Sequence, residues 1–421
     1  MPMHVPEWFR VKTKYRRQWI VLAASIIMLS SGSAAELPSG LSHSGPSPLA
    51  DTQGPQVTIL AYDHGDVSPW IEFFAFDSPK HPKIVELRRE YKLDDVIAGA
   101  KTDLERAVRL KNWTAKALKF GTPTPEVFSD WSAVALLARA KKGQPVWCGQ
   151  AAMVFQQACL AVGLPARFIE LGRPQNPANH FTTEVYLREH GKWAVIDATP
   201  LKAYDLYYTV DGVPQTALEM HNHVVRNTMD KVREVHPDRT CKVEGKDGPA
   251  WCFYYLRWLT RCDVVSNTPK YFDQENVFDK RWHTVDWADE LTVPWEKQKH
   301  SAWFVRNERL AAWNISDPAV VYWAPTDRVR VRVCPNEEGC VYAQFWTGDA
   351  EFDHYQARID GQAWEDLPTA NVYEGGRRYG WGLRRLSIVA TPGRHEVRVR
   401  VVRQDGSKGP ESFVEFRVEG K

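Results

Sequence analysis

The stretch Trp147-Cys148-Gly149-Gln150-Ala151-Ala152-Met153-Val154-Phe155-Gln156-Gln157-Ala158-Cys159-Leu160-Ala161-Val162-Gly163 decides how the rest of the chain is read. Apolar Ala152, Phe155, Cys159 and Val162 recur at spacings of three and four, which predicts a helix with one apolar face. Gly163 stands where such a helix stops, and Pro165 follows two residues on. A loop, Gly143-Gln144-Pro145-Val146, comes before it, so Cys148 is expected at or near the helix N-terminus. Unpaired N–H groups and the helix dipole favour a thiolate there. A thiolate is the form that attacks a carbonyl carbon. The competing reading is a buried or disulfide-bonded cysteine, because Cys is among the most buried residue types.

Downstream of this helix the texture turns to β. Pro165-Ala166-Arg167-Phe168-Ile169-Glu170-Leu171 reads as a strand, followed by a polar loop from Gly172 to Asn179. His180 to Leu187 alternates Phe181, Thr183, Val185 and Leu187 against Thr182, Glu184 and Tyr186, as a half-buried strand does. Glu189-His190-Gly191-Lys192 makes a hairpin turn, and Trp193-Ala194-Val195-Ile196-Asp197 is the next strand. Upstream, 82–120 is helical in pattern, with Asp103 as expected N-cap and apolar Leu104, Ala107, Leu110, Trp113 and Leu118. Gly121-Thr122-Pro123-Thr124-Pro125 breaks that helix, and a second helix runs from Trp131 to Lys141. A helix that starts on a cysteine, followed by antiparallel strands, defines an α+β core.

A thiol nucleophile needs a base within hydrogen-bond reach, and the base needs a third group to fix its tautomer. His180 opens one strand and Asp197 closes the next. Antiparallel pairing about Glu189 to Gly191 sets the two at the same end of the hairpin. Neighbouring strands lie about 4.8 Å apart, so a carboxylate there reaches an imidazole. Cys148, His180 and Asp197 are therefore the candidate catalytic residues.

These residues resemble the transglutaminase-like superfamily, the papain-like Cys-His-Asp proteins. The resemblance rests on four motifs in order: Trp147-Cys148-Gly149-Gln150-Ala151; Ala161-Val162-Gly163-Leu164-Pro165-Ala166-Arg167; His180-Phe181-Thr182-Thr183-Glu184-Val185-Tyr186; and Trp193-Ala194-Val195-Ile196-Asp197-Ala198-Thr199-Pro200. It covers about 100–200. It implies Cys148 as nucleophile, His180 as general base and acid, and Asp197 as the carboxylate that orients the ring. It also implies an oxyanion site from the Cys148 N–H and an upstream side chain. Animal transglutaminases carry a Gln directly before the Cys where this chain has Trp147, so Gln144 and Trp147 are the candidates for that role. Calcium-site clusters are not evident, and the paired C-x-x-C motifs of the related peptide:N-glycanases are missing.

Length and composition bound the remainder. A chain of 421 residues suits two or three domains. Basic residues number 54 and acidic 52, for a net charge of +2 with no dominant basic patch, so nothing argues for nucleic acid. Lys12, Lys14, Arg16 and Arg17 precede the apolar run Trp19 to Leu29, and Ser33-Ala34-Ala35 offers a cleavage site, the pattern of an export signal over 1–35. The run falls short of the roughly 20 residues that span a membrane, and an uncleaved N-terminal anchor is the alternative. Arg16-Arg17 leaves a twin-arginine route open behind the Sec type. Residues 36–55, rich in Ser, Gly and Pro, read as a linker.

A transglutaminase-like domain is expected over 56–320, ending in an aromatic-rich extension that includes Tyr204, Tyr207, Tyr208, Trp251 and Trp258. From 325 to 421, clean alternation in Arg328 to Val333 and His395 to Val401, with turns at Asp360-Gly361, Pro392-Gly393 and Asp405-Gly406, predicts an immunoglobulin- or fibronectin-like β-sandwich. Seven cysteines in an exported chain leave one free if six pair, and Cys334 and Cys340 flank a loop that a disulfide would close. Cys148 and Cys159 cannot pair across one helix, being about 16 Å apart at 1.5 Å per residue against a Cα limit of about 7 Å. Glu219, His221 and His223 form a weak metal-ligand pattern. No metal or cofactor is expected. Arg167 is read as a structural salt-bridge residue and His190 as a solvated turn residue.

The functional expectation is an exported cysteine-dependent enzyme that transfers acyl groups from amide bonds of a protein or peptide, including cell-wall or envelope material, through a thioester. The alternative is a non-catalytic envelope protein that uses the same fold as a scaffold.

Overall fold

A computed structural model describes residues 56–77, 79–124, 130–173, 176–243, 248–259, 261–262, 283–287, 311–335, 341–367, 384–388 and 391–419. The expected signal, its anchor alternative and the linker lie outside these residues. Among them, no helix is long and apolar enough to cross a membrane.

After β1 (Val57–Asp63) and the short β2 (Ala75–Phe76) come four helices: α1 (Pro82–Glu90), α2 (Leu93–Ile97), α3 (Asp103–Ala117) and α4 (Ala133–Lys141). They precede α5 (Cys148–Ala161), which carries Cys148 as its first residue. The sheet follows at once as β3 (Ala166–Arg173), β4 (Asn176–Leu187) and β5 (Lys192–Ala198). Next come β6 (Asp205–Val210), β7 (Val213–Pro214) and α6 (Ala217–Val225). The hairpin of β8 (Arg233–Val235) and β9 (Thr240–Lys242) leads to β10 (Tyr255–Leu259), β11 (Arg261–Cys262), β12 (His283–Trp287) and β13 (Ala311–Ile315). The main sheet runs β13-β12-β10-β3-β4-β5-β6-β8-β9, with β7 beside β6. Its pairs are antiparallel except β12 with β13.

The expected one-sided helix is buried on every side. All residues from Gly149 to Ala161 are buried, because α1, α3 and α4 cover one side of α5 while β3, β4 and β5 cover the other. Its glutamines go inside with partners. Gln157 accepts from the Ala133 N–H at 2.7 Å and donates to the Trp131 carbonyl at 3.2 Å, tying α5 to the start of α4. Gln156 donates to the Ala166 carbonyl, where β3 begins. Burial is affordable for such polar groups only when they are hydrogen-bonded. β4 departs from the half-buried pattern in the same way, since Thr182 to Leu187 are buried on both faces.

Two expected boundaries move. Asp103 does not cap α3. Thr102 does, accepting from the Glu105 N–H at 3.1 Å. Asp103 is drawn instead to Arg188, whose Nε and Nη2 lie 2.6 and 2.9 Å from its carboxylate. Glu189 then accepts from the Asp103 and Leu104 N–H groups. The β4–β5 turn is thereby docked onto the N-terminus of α3, where orphan N–H groups and the dipole favour a carboxylate. The polar loop expected over 172–179 is mostly strand, because β3 runs to Arg173 and β4 starts at Asn176.

The C-terminal region comprises β14 (Arg330–Pro335), β15 (Val341–Trp346), β16 (Phe352–Ile359), β17 (Glu365–Leu367), β18 (Arg384–Ile388), β19 (Gly393–Arg403) and β20 (Ser412–Val418). They form a five-stranded sheet, β1-β20-β19-β16-β17, and a three-stranded sheet, β14-β15-β18. Val397, Val399 and Val401 alternate into the core from β19, and Val414, Phe416 and Val418 from β20. The sandwich expected from the alternation is the observed architecture. Asp360 and Gly361 turn out of β16 with φ of 51° and 73°, conformations that suit Asp and Gly. β1 pairs with β20, so the strand that precedes the helices is an edge of the C-terminal sheet rather than part of the sheet that follows it.

Candidate active site

Cys148 occupies the first position of α5, after Trp147 at the N-cap. The Trp147 N–H donates to Gln150 Oε1 at 2.9 Å, so the residue three on closes the helix start. The Cys148, Gly149 and Gln150 N–H groups are first-turn groups without an intrahelical acceptor. Gly149 is packed between two aromatic rings at ordinary van der Waals distance. A Cβ there would stand 3.4 Å from the Trp131 ring and 3.7 Å from Phe181.

His180 and Asp197 meet on adjacent strands, both only 4% exposed. The β4–β5 register pairs Thr183 with Ile196 and Leu187 with Lys192. Continued, it sets Thr199 opposite His180, so Asp197 is the diagonal neighbour on the same face rather than the direct one. His180 Nε2 and Asp197 Oδ2 are 2.5 Å apart. Asp197 Oδ1 accepts from the Thr199 N–H at 2.8 Å, which fixes the carboxylate from its other side. With Nε2 engaged, Nδ1 is the ring nitrogen left for the Cys148 thiol, which is hydrogen-bonded to His180. Burial works against a charged ring, but the Asp197 carboxylate, its hydrogen bond and the Cys148 sulfur outweigh it. They hold the imidazole well above its ordinary 6.5. Cys148 itself is half-exposed and forms no disulfide.

Three more residues shape the site without having been signalled as functional. The Tyr204 ring lies against His180, with centroids 4.6 Å apart. Burial raises its phenol above 10.0. Lys111 of α3, 1% exposed, forms an ion pair with Asp205. Burial lowers its ammonium below 10.5, opposed by Asp205 and by Asp197. Its sign for a reader of sequence is its spacing, since Lys111 shares a helix face with buried Ala107 and Thr114.

The other candidates lie elsewhere or have other roles. Gln144 donates its backbone N–H to the Arg139 carbonyl, and its Oε1 is buried without a partner. Trp147 is half-buried. Glu219 caps α6 through the Thr216 N–H and pairs with Lys192. His221 is bonded to the Phe253 carbonyl and His223 to Thr228, so the three do not converge. Cys159 is a core residue whose thiol is pushed up by burial. His190 is exposed in the turn. Among the described residues no two cysteines are joined; Cys340 lies outside them, so the proposed closure of the Cys334 loop does too. Of the aromatic-rich extension, Tyr208 and Trp258 are core, and Tyr204 lies against His180.

Arg167 is the structural ion-pair residue expected. It is fully buried, with Nε and Nη2 at 2.9 and 2.6 Å from Glu184 Oε2 and its plane over Trp193 and Tyr322. Glu184 also accepts from the Ala217 N–H, the Tyr322 hydroxyl and Trp258 Nε1.

Residues 91–198 match the sequence profile of the transglutaminase-like superfamily. This stretch, from the helical lead-in through Asp197, is a transglutaminase-like domain, a superfamily whose members are generally cysteine-dependent acyl-transfer enzymes or proteases. No curated protein matches the chain.

Proposed function

We propose that the chain is an exported cysteine-dependent acyl-transfer enzyme that acts on amide bonds of a protein or peptide. One observation carries the reading: a single imidazole is bonded through Nε2 to the Asp197 carboxylate and is also hydrogen-bonded to the thiol at a helix N-terminus. Cys148 Sγ, as thiolate beside a protonated His180, attacks the amide carbon. The resulting oxyanion accepts from the Cys148 N–H and from an upstream side chain, for which Gln144 and Trp147 are the candidates. His180 gives its proton to the leaving nitrogen, the C–N bond breaks, and a thioester remains on Cys148. His180 then takes a proton from the incoming nucleophile, which displaces the sulfur. Asp197 keeps the ring in one tautomer throughout.

Water as the incoming nucleophile makes the enzyme a protease or amidase, and a lysine amine makes it a transglutaminase. Hydrolysis is favoured, because amine transfer also requires excluding water from the thioester. The basic-then-apolar leader with its small-residue cleavage site supports export. The test is mass spectrometry of a mixed protein substrate incubated with the mature chain and a dansylated alkylamine. New peptide termini support hydrolysis, and dansyl adducts on glutamine shift the reading to amine transfer. Neither product, with Cys148→Ala indistinguishable from wild type, would overturn catalysis and favour the scaffold role.

A further inference from the structure

The β8–β9 hairpin lies at the far edge of the main sheet, outside the thiol site. It carries Glu234-Val235-His236-Pro237-Asp238-Arg239-Thr240-Cys241. Glu234 and Cys241 face each other directly in the ladder. His236 follows Glu234 by two residues, and its N–H is bonded to the Arg239 carbonyl at the turn. Strand periodicity sets Glu234 and His236 on one face, and the register brings the cysteine across to them. The convergence thus follows from the backbone and not from a chosen rotamer. One ligand atom from each of Glu234, His236 and Cys241 lies within 4.8 Å of the others.

We infer that Glu234, His236 and Cys241 form a zinc-binding site that fastens this hairpin. The distances suit a shared ion better than they suit hydrogen bonds. Glu234 Oε2 is 3.5 Å from His236 Nε2 and 3.9 Å from Cys241 Sγ. With Zn–N and Zn–O bonds of about 2.0 Å and Zn–S of about 2.3 Å, a tetrahedron has edges of about 3.3 Å between N and O and about 3.5 Å between S and O. The two separations from Glu234 lie within a few tenths of an ångström of those edges; the His236 and Cys241 atoms lie within 4.8 Å of each other, so the ion would draw those two side chains together. Glu234 and His236 are 9% and 6% exposed. The His236 ring is also hydrogen-bonded to the Asp205 backbone of β6, which fixes its orientation. Cys241 is half-buried, which leaves the fourth position open to water. Thiolate and carboxylate together carry the two negative charges that a Zn²⁺ ion balances. β8 is hydrogen-bonded to β6, the strand whose Asp205 holds Lys111 beside the triad, so the ion would stiffen the sheet edge rather than enter the reaction.

The test is metal content of the full mature chain after loading with Zn²⁺ and dialysis. It is run alongside Cys148→Ala, so that zinc held at the catalytic thiol is counted separately. The expected result is about one zinc per chain in both, and background levels in His236→Asn and Cys241→Ser. Substitution by Co²⁺ should give a thiolate-to-metal charge-transfer band that persists in Cys148→Ala. No stoichiometric zinc in folded wild type, zinc that persists in Cys241→Ser, or zinc lost with Cys148 would each overturn the site. Should the hairpin variants fail to fold, the cobalt band of Cys148→Ala decides alone, and its absence contradicts the proposal.

Discussion

Two buried ion pairs share strand β4, four residues apart, and have opposite characters. Glu184 with Arg167 is saturated. Its oxygens accept from a guanidinium, an indole, a hydroxyl and a backbone N–H, and both side chains are 0% exposed. His180 with Asp197 is equally enclosed but has one ring nitrogen facing a half-exposed thiol. A saturated pair can only hold elements together, here β3, β4, β10, the start of α6 and the segment at Tyr322. A pair whose ring is also hydrogen-bonded to a nucleophile can move a proton. Burial and ion pairing alone therefore do not mark a site; the thiol partner does.

The contrast breaks most visibly under substitution. His180→Ala should lower turnover by on the order of 10⁴-fold while the fold survives, with the thiol, Asp197 and the Tyr204 ring each losing a partner. A comparable loss of thermal stability would mean that His180 is structural. Asp197→Asn, which keeps shape but gives the ring a donor in place of an acceptor, should cost roughly 10²- to 10⁴-fold in kcat. Arg167→Ala should act the other way. It strands the Glu184 charge and should cost about 3–5 kcal/mol in urea unfolding, with kcat of the remaining folded enzyme nearly unchanged. Activity loss without destabilisation would erase the distinction.

A smaller effect sharpens the placement of the hairpin. Glu189→Ala removes the carboxylate that caps α3 from the β4–β5 turn. It should cost about 1 kcal/mol. A pH titration gives the last prediction. Because the folded His180 is raised above 6.5, its ion pair stabilises the fold fully below the unfolded value and the contribution is lost as pH rises through the folded value. His180→Ala should abolish that alkaline loss.

Much of this arrangement was legible before the structure. A cysteine at the start of a periodic segment, followed by a hairpin with His at one end and Asp at the other, needs only helix and strand geometry, and all three residues are found together. The diagonal offset of Asp197 was not legible, because it depends on a one-residue difference in where the Arg188–His190 turn closes. Nor was the complete burial of α5, since its alanines and glutamines pass for a polar face until α1, α3 and α4 cover them. Lys111 and Tyr204 stayed hidden for a related reason. A lysine at an apolar spacing or a tyrosine in a loop gains meaning only when packing brings it to a charge or a ring. Asp103 misled because a bidentate ion pair with the half-exposed Arg188 outcompeted the local capping preference.

The most direct measurement of the central claim is the rate at which a small alkylating reagent modifies Cys148 at pH 6, followed residue by residue by mass spectrometry. At that pH an ordinary thiol is almost wholly protonated. An imidazolium-paired thiolate would react at least about tenfold faster than a free cysteine, and His180→Ala would remove the advantage. A Cys148 that reacts no faster than free cysteine, and whose rate is unchanged by His180→Ala, would contradict the account.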